Sequence, residues 1–141
     1  MEDCVFCKIV SGELPSTKAY EDDHASAFFD IHPAVGGHML VVPKKHAERL
    51  ELMEDSDLGP FMAAVKKVSS ALQNALGADG MNTVSNSGKA AGQIIFHAHV
   101  HLLPRFENDG LAKDFKWGRK EYVQAAVDTL AQRVRQNLAK P

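Results

Sequence analysis

Apolar residues recur along this chain with two different periods, and each change of period marks an element. Phe61, Val65, Val68, Leu72 and Leu76 return at steps of three and four and stop at Gly77. That spacing predicts an amphipathic helix of about five turns with Ser56 as its N-cap. Tyr122 or Val123, Val127, Leu130, Val134 and Leu138 form a second stripe, a C-terminal helix with its own subunit or a partner to pack on. Cys4 to Ser11 reads as a short helical turn stopped by Gly12, and Leu14-Pro15 begins an extended approach.

Elsewhere the period is two or the run is continuously apolar. Lys18–Glu21 and Ala25–Asp30 are predicted strands joined by the turn-forming Asp22-Asp23-His24, with Phe28, Phe29 and Ile31 as core. His38–Val42 follows Gly36-Gly37 and ends at Pro43. Met81–Asn86, the glycine-containing loop Ser87–Gly92 and Ile94–Leu103 then read as strand, loop and strand, which suggests an antiparallel pair. Strands clustered around one long helix predict an α+β domain with an antiparallel five-stranded sheet and a C-terminal helix.

At 141 residues, one domain spanning 1–141 is expected, with no internal repeat or linker. With 45% hydrophobic residues, 24% charged and a net charge of -2, the composition is that of a globular chain. It argues against nucleic acid as a partner. Lys44, Lys45, His46 and Arg49 form the one tight basic cluster, read as a solvated strand end. Met1-Glu2-Asp3-Cys4 is acidic where a signal peptide is basic, and no run reaches a membrane span, so no membrane partner and a cytoplasmic location are expected. Cys4 and Cys7 would stay reduced there.

The chemistry concentrates in His97-Ala-His-Val-His-Leu-Leu-Pro-Arg105. On a strand, His97, His99 and His101 would share one face while Phe96, Ala98, Val100 and Leu102 enter the core. Imidazole suits nucleophilic attack, proton transfer or metal ligation near neutral pH. Because His-x-His is also a metal-ligand spacing, a metal-dependent hydrolase is one reading of the trio. Cys4-x-x-Cys7 supplies half of a tetrahedral zinc site whose other ligands must be histidines or carboxylates. The rival, a redox pair, lacks the strand expected before Cys-x-x-Cys.

The run Gly92-Gln-Ile-Ile-Phe-His-Ala-His-Val-His-Leu-Leu103 resembles the signature of the histidine triad (HIT) family. Phe29-Asp30-Ile31, Gly37 to His46 and Asn86 resemble its other motifs, so the likeness covers Cys4 to about Arg105 and leaves 106–141 as an extension carrying the tail helix. The resemblance implies a HIT-like fold and a nucleotide hydrolase or transferase. It would act at the α-phosphorus of nucleoside phosphoramidates or dinucleoside polyphosphates through a nucleotidyl-histidine intermediate. It makes His99 the nucleophile and His101, Gln93 and His38 its phosphate-side partners. Asp30 would hold the ribose, Asn86 the loop or phosphate side, and Phe6, Ile9, Leu14, Phe29 and Ile31 the purine base. It completes a structural zinc site as Cys4, Cys7, His46 and His97, setting His97 apart from the other two histidines, and it implies a homodimer. Ile94 departs from the pattern, since many relatives carry serine or threonine there to meet the leaving group. A non-catalytic nucleotide sensor is the third reading.

Overall fold

The computed structural model describes residues 3–110 and 120–139, so residues 111–119 of the extension lie outside the described part. Five strands, β1 (Lys18–Glu21), β2 (Ala25–Phe29), β3 (Met39–Pro43), β4 (Gly80–Val84) and β5 (Val100–Arg105), form one antiparallel sheet in the order β1-β2-β3-β5-β4. Helix α1 (Val5–Ser11) precedes the sheet, α2 (Asp55–Leu76) separates β3 from β4, and α3 (Gln124–Leu138) closes the described chain. The expected α+β architecture is what forms.

Alternation along the strands sorts the sheet into two faces. Ala25, Ala27 and Phe29 of β2, Met39 and Val41 of β3, and Val100 and Leu102 of β5 join Phe61, Val65, Val68 and Leu72 of α2 in the main core. The opposite parity, Phe28, Leu40 and Val42, packs under α1 through Phe6, Ile9 and Val10. Phe29 therefore does not wall a pocket beside Phe6 as expected. It points through the sheet into the α2 core, and Phe28 holds the place assigned to it.

Helix α2 runs 22 residues to Gly77, whose left-handed backbone (φ 64°) closes it. Its start differs from expectation: Glu54 holds the extended N-cap conformation, and Ser56 already lies within the first turn. Ala131 and Val134 of α3 are fully buried in the α2 core, beside Tyr122, Val127, Leu130 and Leu138, which places the tail helix on its own subunit.

The histidine segment departs most. Only Val100 onward joins the ladder, where Val41 faces Val100 and Val84 faces His101. Upstream, Ala98 N–H donates to the Ala47 carbonyl at 2.7 Å, so the chain is held by a loop instead of by strand neighbours. Ala98 still enters the core, but Phe96 is 45% exposed, contrary to the strand pattern. Strand β4 likewise stops at Val84, two residues early, because the Ser85 hydroxyl donates to the His99 carbonyl.

Gly37 sets the entry to β3. Its φ of 82° favours glycine, and a Cβ there would sit 2.8 Å from Leu76 Cδ1. The basic cluster is a paired strand end: Lys44 reaches Glu21 at 3.0 Å, and Lys45 reaches Glu54 and Asp57 at 3.0 and 3.5 Å. Among the described residues no helix is long and apolar enough to cross a membrane.

Candidate functional site

Two clusters lie on the face that α1 covers. The first gathers Cys4, the N-cap of α1, Cys7 in its first turn, His46 beyond β3, and His97. Cys4 Sγ lies 3.3 Å from His97 Nδ1, Cys7 Sγ 3.4 and 3.5 Å from His46 and His97 Nδ1, and the two Nδ1 atoms are 3.2 Å apart. Ideal zinc bond lengths of about 2.3 Å to sulfur and 2.0–2.1 Å to nitrogen give tetrahedral edges of roughly 3.6 Å (S–N) and 3.3 Å (N–N). The donor spacing thus fits zinc closely. Because His97 Nε2 must donate to the Pro43 carbonyl at 2.7 Å, its Nδ1 keeps the lone pair a metal needs. Burial holds the metal-free His97 ring down at about 4, which keeps its Nδ1 lone pair available, and pushes the Cys7 thiol up, so Cys7 must give up a proton for metal to bind.

The second cluster contains His99, His101, His38 and Asp30. Backbone partners decide which ring nitrogen carries hydrogen. His99 Nδ1 is 2.6 Å from the His97 carbonyl, which can only accept, so the hydrogen is on Nδ1 and the lone pair on Nε2. The Ala34 N–H, 3.0 Å from His38 Nδ1, can only donate, so His38 carries its hydrogen on Nε2 and passes it to His101 Nδ1 at 2.9 Å. His101 then carries hydrogen on Nε2. The His99 and His101 ring centres stand 4.9 Å apart.

Burial is the leading cause of a lowered pKa in His38, His99 and His101, the last at about 3 with neighbouring imidazoles adding to the effect. All three are neutral at pH 7. Asp30 accepts from the His32 N–H at 2.8 Å and stands 3.6 Å from His38 Nε2. Asp30, His38 and His101 also place one ligand atom each within 4.8 Å of one another. In the neutral network, however, the Nδ1 lone pairs of both histidines already accept hydrogen bonds.

The other expected residues are placed unevenly. Phe6 is buried and meets His99 edge-on at 5.0 Å; Ile9 packs beside it and also lines a cleft of about 470 Å³ with Leu14, Asp128 and Arg135. Ile31 and Ile94 stand out into solvent, at 61% and 88% exposure. Asn86 is half-buried beside Gly92. Gln93 was expected to donate to phosphate, but both amide hydrogens are engaged by the carbonyls of Glu48 and Ile95, and its oxygen accepts from Gly88 N–H. It ties the 85–93 loop to the histidine segment. Sequence reasoning missed Phe28, which shares parity with Asp30 and packs on Phe6 at 5.7 Å, and Ser85, whose bond to the His99 carbonyl no spacing announces.

The HIT domain profile matches residues 11–108, a stretch holding all three alternating histidines. The chain belongs to the HIT family. It is similar to the adenylylsulfatase HINT3 of Arabidopsis thaliana, 45% identical over 77% of this chain and 55% of that one. It is also similar to an adenosine 5'-monophosphoramidase of Candida albicans, 31% identical over 97% and 92%. Among solved structures, a zinc-bound histidine triad family protein from Mycobacterium smegmatis superposes at a TM-score of 0.83, with 34% identity over 98% of this HIT chain and 94% of the other.

Proposed function

We propose that this protein hydrolyses nucleoside 5'-monophosphate derivatives at the α-phosphorus through a covalent nucleotidyl-His99 intermediate. The carrying observation is the fixed tautomer of His99. Its Nδ1 hydrogen is committed to the His97 carbonyl, its burial keeps it neutral, and Nε2 presents a lone pair without prior proton loss. That lone pair attacks phosphorus while the bond to the leaving group breaks; its electrons depart with the leaving atom, which in a phosphoramidate takes a proton from water and leaves as the amine. Water then cleaves the phosphorus–nitrogen bond and frees both nucleotide and ring. His101, its hydrogen on Nε2, donates to a non-bridging phosphate oxygen, and His38 fixes that orientation. Asp30 accepts from the ribose hydroxyls, and Phe6, Ile9 and Phe28 face the purine.

Phosphoramidates and adenylyl sulfate lead the substrate choice, because the two relatives named above act on such mixed derivatives; dinucleoside polyphosphates are the second choice. Cys4, Cys7, His46 and His97 would hold a zinc ion, which when bound supplies a rigid cross-link between α1 and the loops around β3 and β5. The metal-hydrolase reading has less support, because His97 turns its free nitrogen toward the thiols instead of toward His99 and His101. A homodimer fits the sheet, since β4 is an edge strand whose outer side pairs with no described strand. The proposed setting is the cytosol, where the thiols stay available to the metal.

The test is a pulse with adenosine 5'-phosphoramidate labelled at phosphorus, followed by acid-free peptide mapping, beside adenylyl sulfate and diadenosine polyphosphates as alternative substrates. Label on His99 and its loss in His99→Ala, with turnover lowered by at least ~10³-fold, is expected. Full turnover in His99→Ala would remove the proposal, and nucleotide binding with no turnover of any substrate would leave a sensor.

A further inference from the structure

Helix α1 has seven residues, too few to persist alone in water, where isolated helices need about 12–15. Something else must hold it on the sheet. Among the described residues, its polar links to the rest of the fold are the two thiols facing His46 and His97. Its apolar link is led by Phe6, with Ile9 and Val10 beside it; Phe6 sits in the chain between Cys4 and Cys7 and is buried to 3% exposure. The Phe6 ring meets His97 edge-on at 5.9 Å, His99 at 5.0 Å and Phe28 at 5.7 Å. One aromatic ring therefore touches both a metal-cluster histidine and the nucleophile.

A second route runs through the backbone. The His97 residue that offers Nδ1 to the thiols also offers its carbonyl to His99 Nδ1–H, at 2.6 Å. Its own ring is fixed from behind by the Pro43 carbonyl. Releasing the His97 ring would remove one of the two anchors, beside the Ala98 N–H bond to Ala47, that hold the peptide whose carbonyl orients the nucleophile. The two ties reach the same His99 ring, one by packing and one by hydrogen bonding.

We infer that the Cys4–Cys7–His46–His97 cluster is the positioning device of the active site, so that metal at the cluster and nucleotide at His99 bind cooperatively. Phe6, Cys4 and Cys7 are then positioning residues, acting on the reacting nitrogen through the His99 ring. This rests on the nucleotide reading above, because Phe6 must face the bound nucleoside as well as His99. Coupling between two sites is reciprocal: whatever metal does for nucleotide affinity, nucleotide does for metal affinity.

That reciprocity gives a test on the loaded protein, independent of turnover. Zinc is exchanged for cobalt(II), AMP is added, and the visible d–d bands are recorded; in parallel, zinc is titrated at equilibrium against a competing chromophoric chelator with and without saturating AMP. AMP should shift the cobalt bands and tighten zinc binding by at least about 5-fold, the lower end of ordinary coupling. In Phe6→Leu, with AMP occupancy confirmed by calorimetry, the tightening should shrink toward unity although metal content stays at that of the parent protein. A purely structural zinc predicts unchanged bands and an unchanged zinc affinity in AMP-saturated protein, and that result overturns the inference while leaving the nucleotide reading intact. Failure of AMP to bind the metal-loaded protein overturns both, and calorimetry tells the two failures apart.

Discussion

Acidification from pH 7 to pH 5 should cost this fold about 4 kcal/mol through two rings. His97 and His101 titrate ordinarily at 6.5 when unfolded, but burial holds them at about 4 and about 3 in the native state. Below 6.5 the unfolded chain therefore binds a proton at each ring that the native chain refuses. The unfolded state gains ~1.4 kcal/mol per pH unit per ring until the native pKa is reached. Stability is thus fully present above pH 6.5 and drains away as the pH falls toward 4 and 3. Between pH 7 and 5 the loss integrates to about 2 kcal/mol for each ring, and His38 and His99, also lowered by burial, add in the same direction. A domain with a typical stability of about 5–15 kcal/mol would feel this strongly.

Urea unfolding at pH 7, 6 and 5 measures the loss directly, and His101→Gln should flatten the pH dependence by about 2 kcal/mol over the same interval. Metal ligation steepens the wild-type curve, because protons compete for the thiolates and for His97. The His101 variant isolates the ring outside that cluster. Coincident wild-type midpoints at pH 7 and 5 would refute the reasoning, as would a His101 Cε1 proton resonance that titrates near 6.5.

Two substitutions probe the scaffold around the site. Gly37→Ala combines left-handed strain at φ 82° with a Cβ 2.8 Å from Leu76 Cδ1, so unfolding free energy should drop by roughly 2–4 kcal/mol, and turnover should fall because His38 follows directly. Gln93→Ala leaves the Gly88 N–H and the carbonyls of Glu48 and Ile95 without their side-chain partner, which should cost about 1–3 kcal/mol in urea unfolding. Unchanged stability with a lowered kcat would instead put Gln93 back on the phosphate.

The long helix and the tail helix were legible because their apolar stripes are long, and the first also ends at Gly77. Ser56 misled, since a good capping residue inside the first turn looks the same in sequence as one just outside it; the extended backbone of Glu54 decides the matter. Alternation places the start of the histidine strand six residues too early, because period two continues through Phe96–His99 whereas the ladder begins at Val100. A loop carbonyl, that of Ala47, holds that stretch. Phe28, and not Phe29, shares parity with Asp30, because alternate residues along an extended chain share a face. Half of the metal cluster was visible as Cys4-x-x-Cys7, and the family likeness supplied the rest. The ring tautomers were invisible, because they depend on the carbonyls of Pro43 and His97 and on the N–H of Ala34, groups that every residue carries.

The division of the sheet by parity also shapes how this chain can change. On β2, β3 and β5 every second position faces α2 and α3; the positions between include Phe28, Leu40 and Val42 under α1 and His101 among the histidines, while Leu103 packs on Ala34 and Val35. Positions that carry stability alone therefore alternate with positions that carry stability and the site together. A library restricted to the α2-facing residues should move melting temperature while sparing selectivity, whereas one restricted to the other face should move both, because Phe28, Leu40 and Val42 are buried core beside the histidines. Only the first trait can be tuned on its own along these three strands.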